Sequence, residues 1–332
     1  MNDRAVALFE NYEMTIKNTR KGRGAIIAET EKGAVSLVEY NGPAENLLLE
    51  EVLLQKASER FDGPLDLLVR TIEGELFCVD YEGKRYIVKK YIEGQECNVF
   101  EEEACEKAAK ALACLHTALR KIDFPGEVKA LGKSDNLRED FDRRTAELIR
   151  TRNFIRKSPH KEEFELMFLG AYERYLEQAT LAYSFLDRDC LEKLGKKQQE
   201  EKMMVHGDCT HHNVLFTGEG VTFINFEKMG AHLQVKDVYL FMRKILEKND
   251  WSYELAKRML LAYETVLPLE KEEKIYLYAR FLYPEKFWKI ANGYLNRRKS
   301  VPSRRQQEKL TAFEQKEEKR HLFLNKWLET CR

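Results

Sequence analysis

The sequence predicts an α+β protein in two parts, a smaller sheet-rich part up to about Tyr91 and a larger, mainly helical part from residue 92 to residue 332. Three observations carry that expectation. Residues 12 to 42 alternate around Gly22, Gly24 and Gly33, the period-2 pattern of half-buried strands interrupted by glycine turns. Beyond Gly94 the apolar residues recur instead at three- and four-residue intervals, as on the buried face of a helix. Between Met203 and Glu227, finally, three short apolar runs enclose two polar loops.

In chain order, Ala25–Ala28 and Val35–Val38 are the apolar centres of two strands joined through Glu29–Ala34. The preceding Arg20-Lys-Gly-Arg-Gly24 reads either as an exposed turn or as a basic loop over phosphate groups. Asn41-Gly-Pro43 makes a turn, and Ala44–Arg60 carries Leu47, Leu48, Val52, Leu53 and Ala57 at roughly helical period. Leu67–Arg70, Leu76–Val79 and Tyr86–Val88 read as strands, the last two joined by the turn Asp80–Gly83. Asn98, with Glu101 three positions on, forms a variant capping box for a helix whose buried face is Ala104, Ala108, Ala111, Leu112 and Leu115. His116, at its end, reads as structural.

Pro125 to Pro159 is charged and weakly periodic, with one short helix expected around Phe141 to Ile149. Phe164, Phe168, Tyr172, Tyr175, Ala179, Ala182 and Leu186 mark a long core helix, and their spacing fits packing. The charged run Glu192 to Lys202 leads to apolar strands at Met203–Val205, Val214–Phe216 and Val221–Phe226, with Gly218 and Gly220 in the turn. Helical faces follow at Val238, Phe241, Met242 and Ile245, then at Leu255, Met259, Ala262, Tyr263 and Val266, then from Ile275 to Leu282. Phe287, Trp288, Ile290 and Tyr294 form an aromatic anchor. Arg297–Arg305 is a basic loop, read either as solvated surface or as a patch for an acidic partner.

Composition limits the function classes. A chain of 332 residues can bury a full core without disulfides or metals. Lys+Arg and Asp+Glu are equal at 56 each, so no general attraction to nucleic acid or to an anionic membrane is expected. The seven cysteines are scattered without a C-x-x-C pair and read as reduced thiols. The first twenty residues lack a secretory leader, and no apolar run approaches the ~18 residues of a membrane span. A soluble protein made in the cytoplasm is expected.

The polar loop after Val205 carries the chemistry. Asp208 and Asn213 stand at the D-x-x-x-x-N spacing of a phosphoryl-transfer loop. There the aspartate orients and deprotonates a hydroxyl, and the asparagine carbonyl reaches a Mg²⁺ bridging nucleotide phosphates. His206, Cys209, His211 and His212 also invite a zinc reading, but one short loop seldom supplies four ligands in the right geometry.

His206-Gly207-Asp208 with Asn213, followed by Ile224-Asn225-Phe226-Glu227, resembles the H-G-D-x-x-x-x-N and I-D-F-E/D pair of aminoglycoside and choline kinases. Trp251, Phe281–Asn292 and Tyr91–Cys97 narrow the resemblance to the CotS-type spore coat proteins, a kinase-like family of spore-forming bacteria. It spans nearly the whole chain from about Tyr12. The resemblance implies a bilobal protein-kinase-like fold, with an N-lobe over 1–91 and a C-lobe over 92–332 that carries a catalytic-type loop at 206–213 and a metal-type loop at 224–227. It further implies ATP at a hinge of Tyr91, Ile92, Glu93 and Gly94, Asp208 as base, and Mg²⁺ at Asn213, Asn225 and Glu227. His206, Gly207 and Asp237 become the structural support of the site.

Two positions depart from the resembling pattern. Gly33-Ala-Val-Ser-Leu-Val38 matches Gly-x-x-x-Leu-Lys with Val38 where the phosphate-gripping lysine stands, and Asn225 replaces an aspartate. Tyr86-Ile-Val-Lys89 resembles V-A-I-K and offers another lysine, with a glutamate from the helix near Glu101. That register leaves strands 25 to 40 without a role and consumes the hinge, so Val38 keeps the lysine position and Lys89 is the dissenting assignment. Without a lysine partner, Glu50 and Glu51 are expected to be solvated. Glu227 is open between a compensating metal ligand and a solvated loop residue. The expectation is a CotS-like spore coat protein, catalytically weakened or inactive, with a binding or structural role among other coat proteins. The alternative is an active ATP- and Mg²⁺-dependent phosphotransferase on a small hydroxyl-bearing substrate.

Overall fold

A computed structural model describes residues 3–123, 137–296 and 304–330. A 3₁₀ helix, Asp3–Asn11, precedes β1 (Ile16–Lys21), β2 (Ala25–Thr30), β3 (Gly33–Tyr40), α1 (Ala44–Ala57), β4 (Leu68–Val69), β5 (Cys78–Val79), β6 (Arg85–Lys90), β7 (Gln95–Glu96) and α2 (Glu102–Ala118). Next come α3 (Leu137–Lys157), α4 (Glu163–Ser184), α5 (Arg188–Glu200), β8 (Met204–Val205), a 3₁₀ turn His211–Asn213, β9 (Val214–Thr217), β10 (Gly220–Phe223) and β11 (Gly230–Ala231). The described residues end with α6 (Val235–Leu246), α7 (Tyr253–Glu264), α8 (Lys271–Leu282), α9 (Glu285–Leu295), α10 (Arg304–Glu314) and α11 (Glu317–Thr330). The α+β expectation holds. The chain forms two compact units, one of residues 1–133, 201–241 and 261–267, the other of 134–200, 242–260 and 268–332.

The first unit is built on an antiparallel sheet of order β1-β2-β3-β6-β4, with β5 also paired to β6. Because side chains alternate faces along a strand, the register decides what each face carries. Ile26, Ala28, Val35, Leu37, Tyr86 and Val88 pack on one face with Leu8, Phe9 and Tyr12. Tyr40 and Ile87, with Val38 against them, pack on the other with Leu47 of α1 and Leu76. Ser36 lies opposite Lys89 in the ladder and Val38 opposite Ile87. A second sheet, β10-β9-β7, holds the hairpin, and β8 pairs with β11. Gly94 crosses so close to this hairpin that a Cβ there would lie 2.9 Å from the carbonyl oxygen of Phe216. α2 begins later than Asn98 predicts: Glu101 is its N-cap, and the Asn98 side chain instead accepts the Phe100 N–H at 3.1 Å.

The second unit is helical. The expected long helix is α4, whose Phe164, Phe168, Tyr172 and Tyr175 pack with Phe287, Ile290 and Tyr294 of α9 and with Leu310 and Phe313 of α10. α3 runs 21 residues rather than the short Phe141 to Ile149 segment expected, because its buried face is sparse: Leu137, Phe141, Leu148, Thr151 and Ile155. Ion pairs such as Arg144 with Asp140 at 2.7 Å and with Glu285 at 3.2 Å accompany that thin stripe. The charged run from Glu192 likewise proves helical, as part of α5. The basic Arg297–Arg305 loop lies mostly outside the described residues, as does Cys331. The six described cysteines are free thiols. No described helix is long and apolar enough to cross a membrane.

Candidate active site

The loop after β8 is held from below by one carboxylate. Asp237, fully buried in the first turn of α6, accepts the backbone N–H of His206 at 2.7 Å and of Gly207 at 3.1 Å. It also meets His116 Nε2 of α2 at 3.2 Å, while His116 Nδ1 lies 2.8 Å from the Tyr263 hydroxyl. Burial alone raises a carboxyl pKa, yet these donors outweigh it and hold Asp237 below the usual range. Burial pushes His116 the other way, favouring its neutral form. Gly207 has φ +82°, and a Cβ there would lie 1.9 Å from the Lys228 carbonyl oxygen, so only glycine fits. His206 Nε2 donates to the Ile224 carbonyl at 2.9 Å and its Nδ1 accepts the Asp208 N–H at 3.2 Å, a pattern that selects the Nε2–H tautomer.

These supports present Asp208, which is about one-third exposed, with Lys228 Nζ 2.8 Å from its carboxylate. The Asn213 side chain donates to the Asp208 carbonyl at 2.9 Å, and Asn225 Nδ2 donates to Asn213 Oδ1 at 2.9 Å. Asn225 adopts φ +67°, a left-handed conformation that asparagine tolerates, and its N–H reaches Asp66 Oδ2 at 2.8 Å. The two loops are therefore together, as the motif spacing implies.

The donor set does not fit Mg²⁺. That cation favours charged oxygens in a tight octahedron, whereas Asn213 and Asn225 are neutral amides already hydrogen-bonded to each other. The nearby acids are already paired: Asp66 and Glu227 face Lys89, and Asp208 faces Lys228. Among the described residues no group of three or more His, Cys, Asp or Glu side chains is placed to hold a metal. Asp66 was not anticipated, although a lone carboxylate between Leu65 and Leu67 is a signal that could have found it.

Lys89 is the principal surprise. Only 1% exposed, it places Nζ 2.7 Å from Glu50 Oε1 of α1, 2.8 Å from Glu227 Oε1 and 3.4 Å from Asp66 Oδ2. Val38, expected at the lysine position, lines the cleft. The helix glutamate nevertheless has a lysine partner, supplied by the neighbouring strand β6. Glu50 and Glu51 are accordingly buried, not solvated, and Glu51 pairs with Arg70, whose Nε lies 2.6 Å away. The reason is geometric: adjacent strands present side chains on one face, so β6 can deliver the ammonium that β3 lacks. Burial, with Asp66 and Glu227 nearby, pushes the Glu50 carboxyl up to about 7 despite Lys89. Burial raises Asp66 as well. For Glu227 the effect of burial is outweighed by Lys89, which holds it low, and the three carboxylates outweigh burial to keep Lys89 protonated. Glu227, partly buried, thus has its carboxylate on Lys89.

Above these loops lies a cleft of about 550 Å³. Tyr91, Ile92 and Gly94 of the expected hinge line it, while Glu93 does not. Leu215 and Ile224 form apolar wall, and Arg20, Gly22, Arg23 and Gly24 bring the β1–β2 turn over it. The Arg20 guanidinium sits 5.2 Å from the Tyr91 ring centroid, and Arg23 lies 3.2 Å from Glu96 and 3.1 Å from His212.

Known structures share this architecture. An aminoglycoside phosphotransferase from Alicyclobacillus acidocaldarius is similar over 98% of this chain and 96% of its own, at 20% identity and a TM-score of 0.84. A spectinomycin phosphotransferase in complex with ADP and spectinomycin matches over 94% and 92%, at 15% identity and TM-score 0.60. A choline kinase from Cryptosporidium parvum matches over 98% of both chains, at 14% identity and TM-score 0.55. The fold is therefore the kinase-like α+β fold of these phosphotransferases, as the motifs implied. Residues 5–327 match the family model described as "Spore coat putative kinase YutH", and the chain belongs to that family.

Proposed function

We propose that this protein is a kinase-like component of the spore coat that holds a nucleotide in its cleft, transfers phosphate weakly or not at all, and serves the coat by binding or as structure. The observation that carries the reading is the Asn213–Asn225 amide pair, neutral and joined by a hydrogen bond where a phosphotransferase of the resembling type needs a charged metal ligand. Val38 on the cleft wall adds to it, since valine cannot neutralise phosphate, and Lys89 is buried among carboxylates rather than on that wall. Nucleotide binding draws support from the cleft volume, the hinge-type wall of Tyr91, Ile92 and Gly94, and solved neighbours described with ADP or AMP-PNP. In this reading the adenine lies at the hinge, the N-lobe ends near Tyr91, and the remainder acts as a C-lobe. His206, Gly207 and Asp237 keep the loop in shape without chemistry of their own.

One observation favours the active alternative: Asp208 lines the cleft on a fully supported loop, ready to accept a proton from a small hydroxyl substrate. Melting the protein with and without nucleotide, then comparing ATP turnover by wild type and Asp208→Ala, separates the readings. Native-state binding at 100 times Kd stabilises by about 2.7 kcal/mol, so millimolar nucleotide is expected to raise Tm while turnover stays equal in the two proteins. A fall of tenfold or more in Asp208→Ala, about 1.4 kcal/mol of barrier, would establish the phosphotransferase instead.

A further inference from the structure

We propose that the cleft takes the nucleotide as a metal-free polyphosphate anion, gripped by Arg20 and Arg23 of the β1–β2 turn; the proposal rests on the nucleotide reading above. A triphosphate chain needs counter-charge, and the residues at the two customary sources do not provide it: Val38 is apolar, and Asn213 with Asn225 offers no carboxylate to a bridging cation. The cationic residues that line the cleft are Arg20, Arg23 and Lys90, with His212 beside them, but Lys90 lies opposite Val35, which packs on the other face of the sheet.

The acids of the same wall already have partners. Asp66 faces Lys89, Asp208 faces Lys228, and Glu96 faces both His212 and Arg23, so Glu96 keeps His212 when Arg23 turns to a phosphate. Arg20 is held over the Tyr91 ring and hydrogen-bonded to the Tyr91 side chain, with Glu93 and Glu29 near enough to act on its charge but no carboxylate paired with it, so a phosphate has only a phenol to displace. Guanidinium groups suit this task because their planar fork donates two parallel hydrogen bonds to phosphate oxygens. The strand register selects which basic residues take part. Arg20 lies opposite Ile27, which lines the cleft, whereas Lys21 lies opposite Ile26, which packs on the other face of the sheet. Lys21 is therefore a built-in control.

A consequence separates this site from a phosphotransferase site. Mg²⁺ bound to free ATP cancels charge that the arginines need and meets on the protein only carboxylates that already face cationic partners, Asp66 on Lys89 and Asp208 on Lys228, so it weakens binding.

Calorimetric titration of the full chain tests this with three probes: ATP in EDTA, ATP with excess Mg²⁺, and adenosine. ATP in EDTA is expected to bind more tightly than Mg²⁺-ATP. The double variant Arg20→Ala, Arg23→Ala should weaken ATP about tenfold or more, the scale of losing charge-assisted hydrogen bonds, and leave adenosine unchanged. Lys21→Ala should stay within about twofold of wild type, as for a charge on the far face of the sheet. Tighter binding with Mg²⁺, or an ATP affinity indifferent to both arginines, overturns the proposal while adenosine binding preserves the nucleotide cleft. Failure of both ATP and adenosine to bind overturns the nucleotide reading and this inference together.

Discussion

Lys89 sits among Glu50, Asp66 and Glu227, and what its removal leaves behind sets its importance. Lys89→Met strands two buried acids, Glu50 and Asp66, and the partly buried Glu227, and breaking a buried ion pair from one side typically costs about 3–5 kcal/mol. Urea unfolding at neutral pH should show a loss of that order; a loss below about 1 kcal/mol, the scale of an exposed pair, would mean that the cluster is far more solvated than its burial indicates. The pH dependence follows from the same group of charges. The Glu50 carboxyl, raised from 4.5 to about 7, binds its proton more readily folded than unfolded. Its contribution is complete below about pH 4.5 and lost as pH rises through about 7. Asp66, also raised, acts in the same sense, while Glu227 and Asp237, both lowered, lose their contributions as pH falls. Glu50→Gln should therefore flatten the decline in stability between pH 4.5 and 7 relative to wild type. Parallel stability profiles for the two proteins would show that Glu50 does not titrate in that window.

The loop 206–213 and the helix α3 teach opposite lessons about elements. In the loop, Gly207 is required by a positive φ and by the Lys228 carbonyl, both visible only in space, yet the H-G-D motif already marked it. Gly207→Ala is expected to destabilise by more than about 2 kcal/mol, since strain and steric overlap act together. Chemical denaturation measures this, and hydrogen exchange at the His206 amide, bonded to Asp237, should accelerate in the variant. An unchanged midpoint would mean that the loop can be re-formed cheaply. In α3 the legible signal was weak because five buried positions in 21 residues leave little periodicity for a pattern to show. Asn98 failed as a cap for a related reason: its side chain had a nearer N–H to accept, that of Phe100.

For the whole molecule the proposed metal-free cleft turns on the departures at positions 38 and 225. Asp at position 225 suits the left-handed backbone that asparagine now occupies, and it would set a carboxylate beside Asn213. The double variant V38K/N225D should bind Mg²⁺-ATP more tightly than wild type by tenfold or more, about 1.4 kcal/mol, and should reverse the preference between ATP in EDTA and Mg²⁺-ATP. Unchanged affinity in calorimetry would mean that positions 38 and 225 do not set the response of the cleft to Mg²⁺. By itself the sequence determined the α+β class, most strand segments, the loop that carries Asp208 and Asn213, and the two departures from the resembling pattern, because each is written in contiguous residues or in local period. Only the tertiary structure decided that Lys89 replaces the missing partner of Glu50. Lys89 meets Asp66 across 23 positions and Glu227 across 138, and local pattern shows which face a side chain takes but not which charges the folded chain brings opposite it.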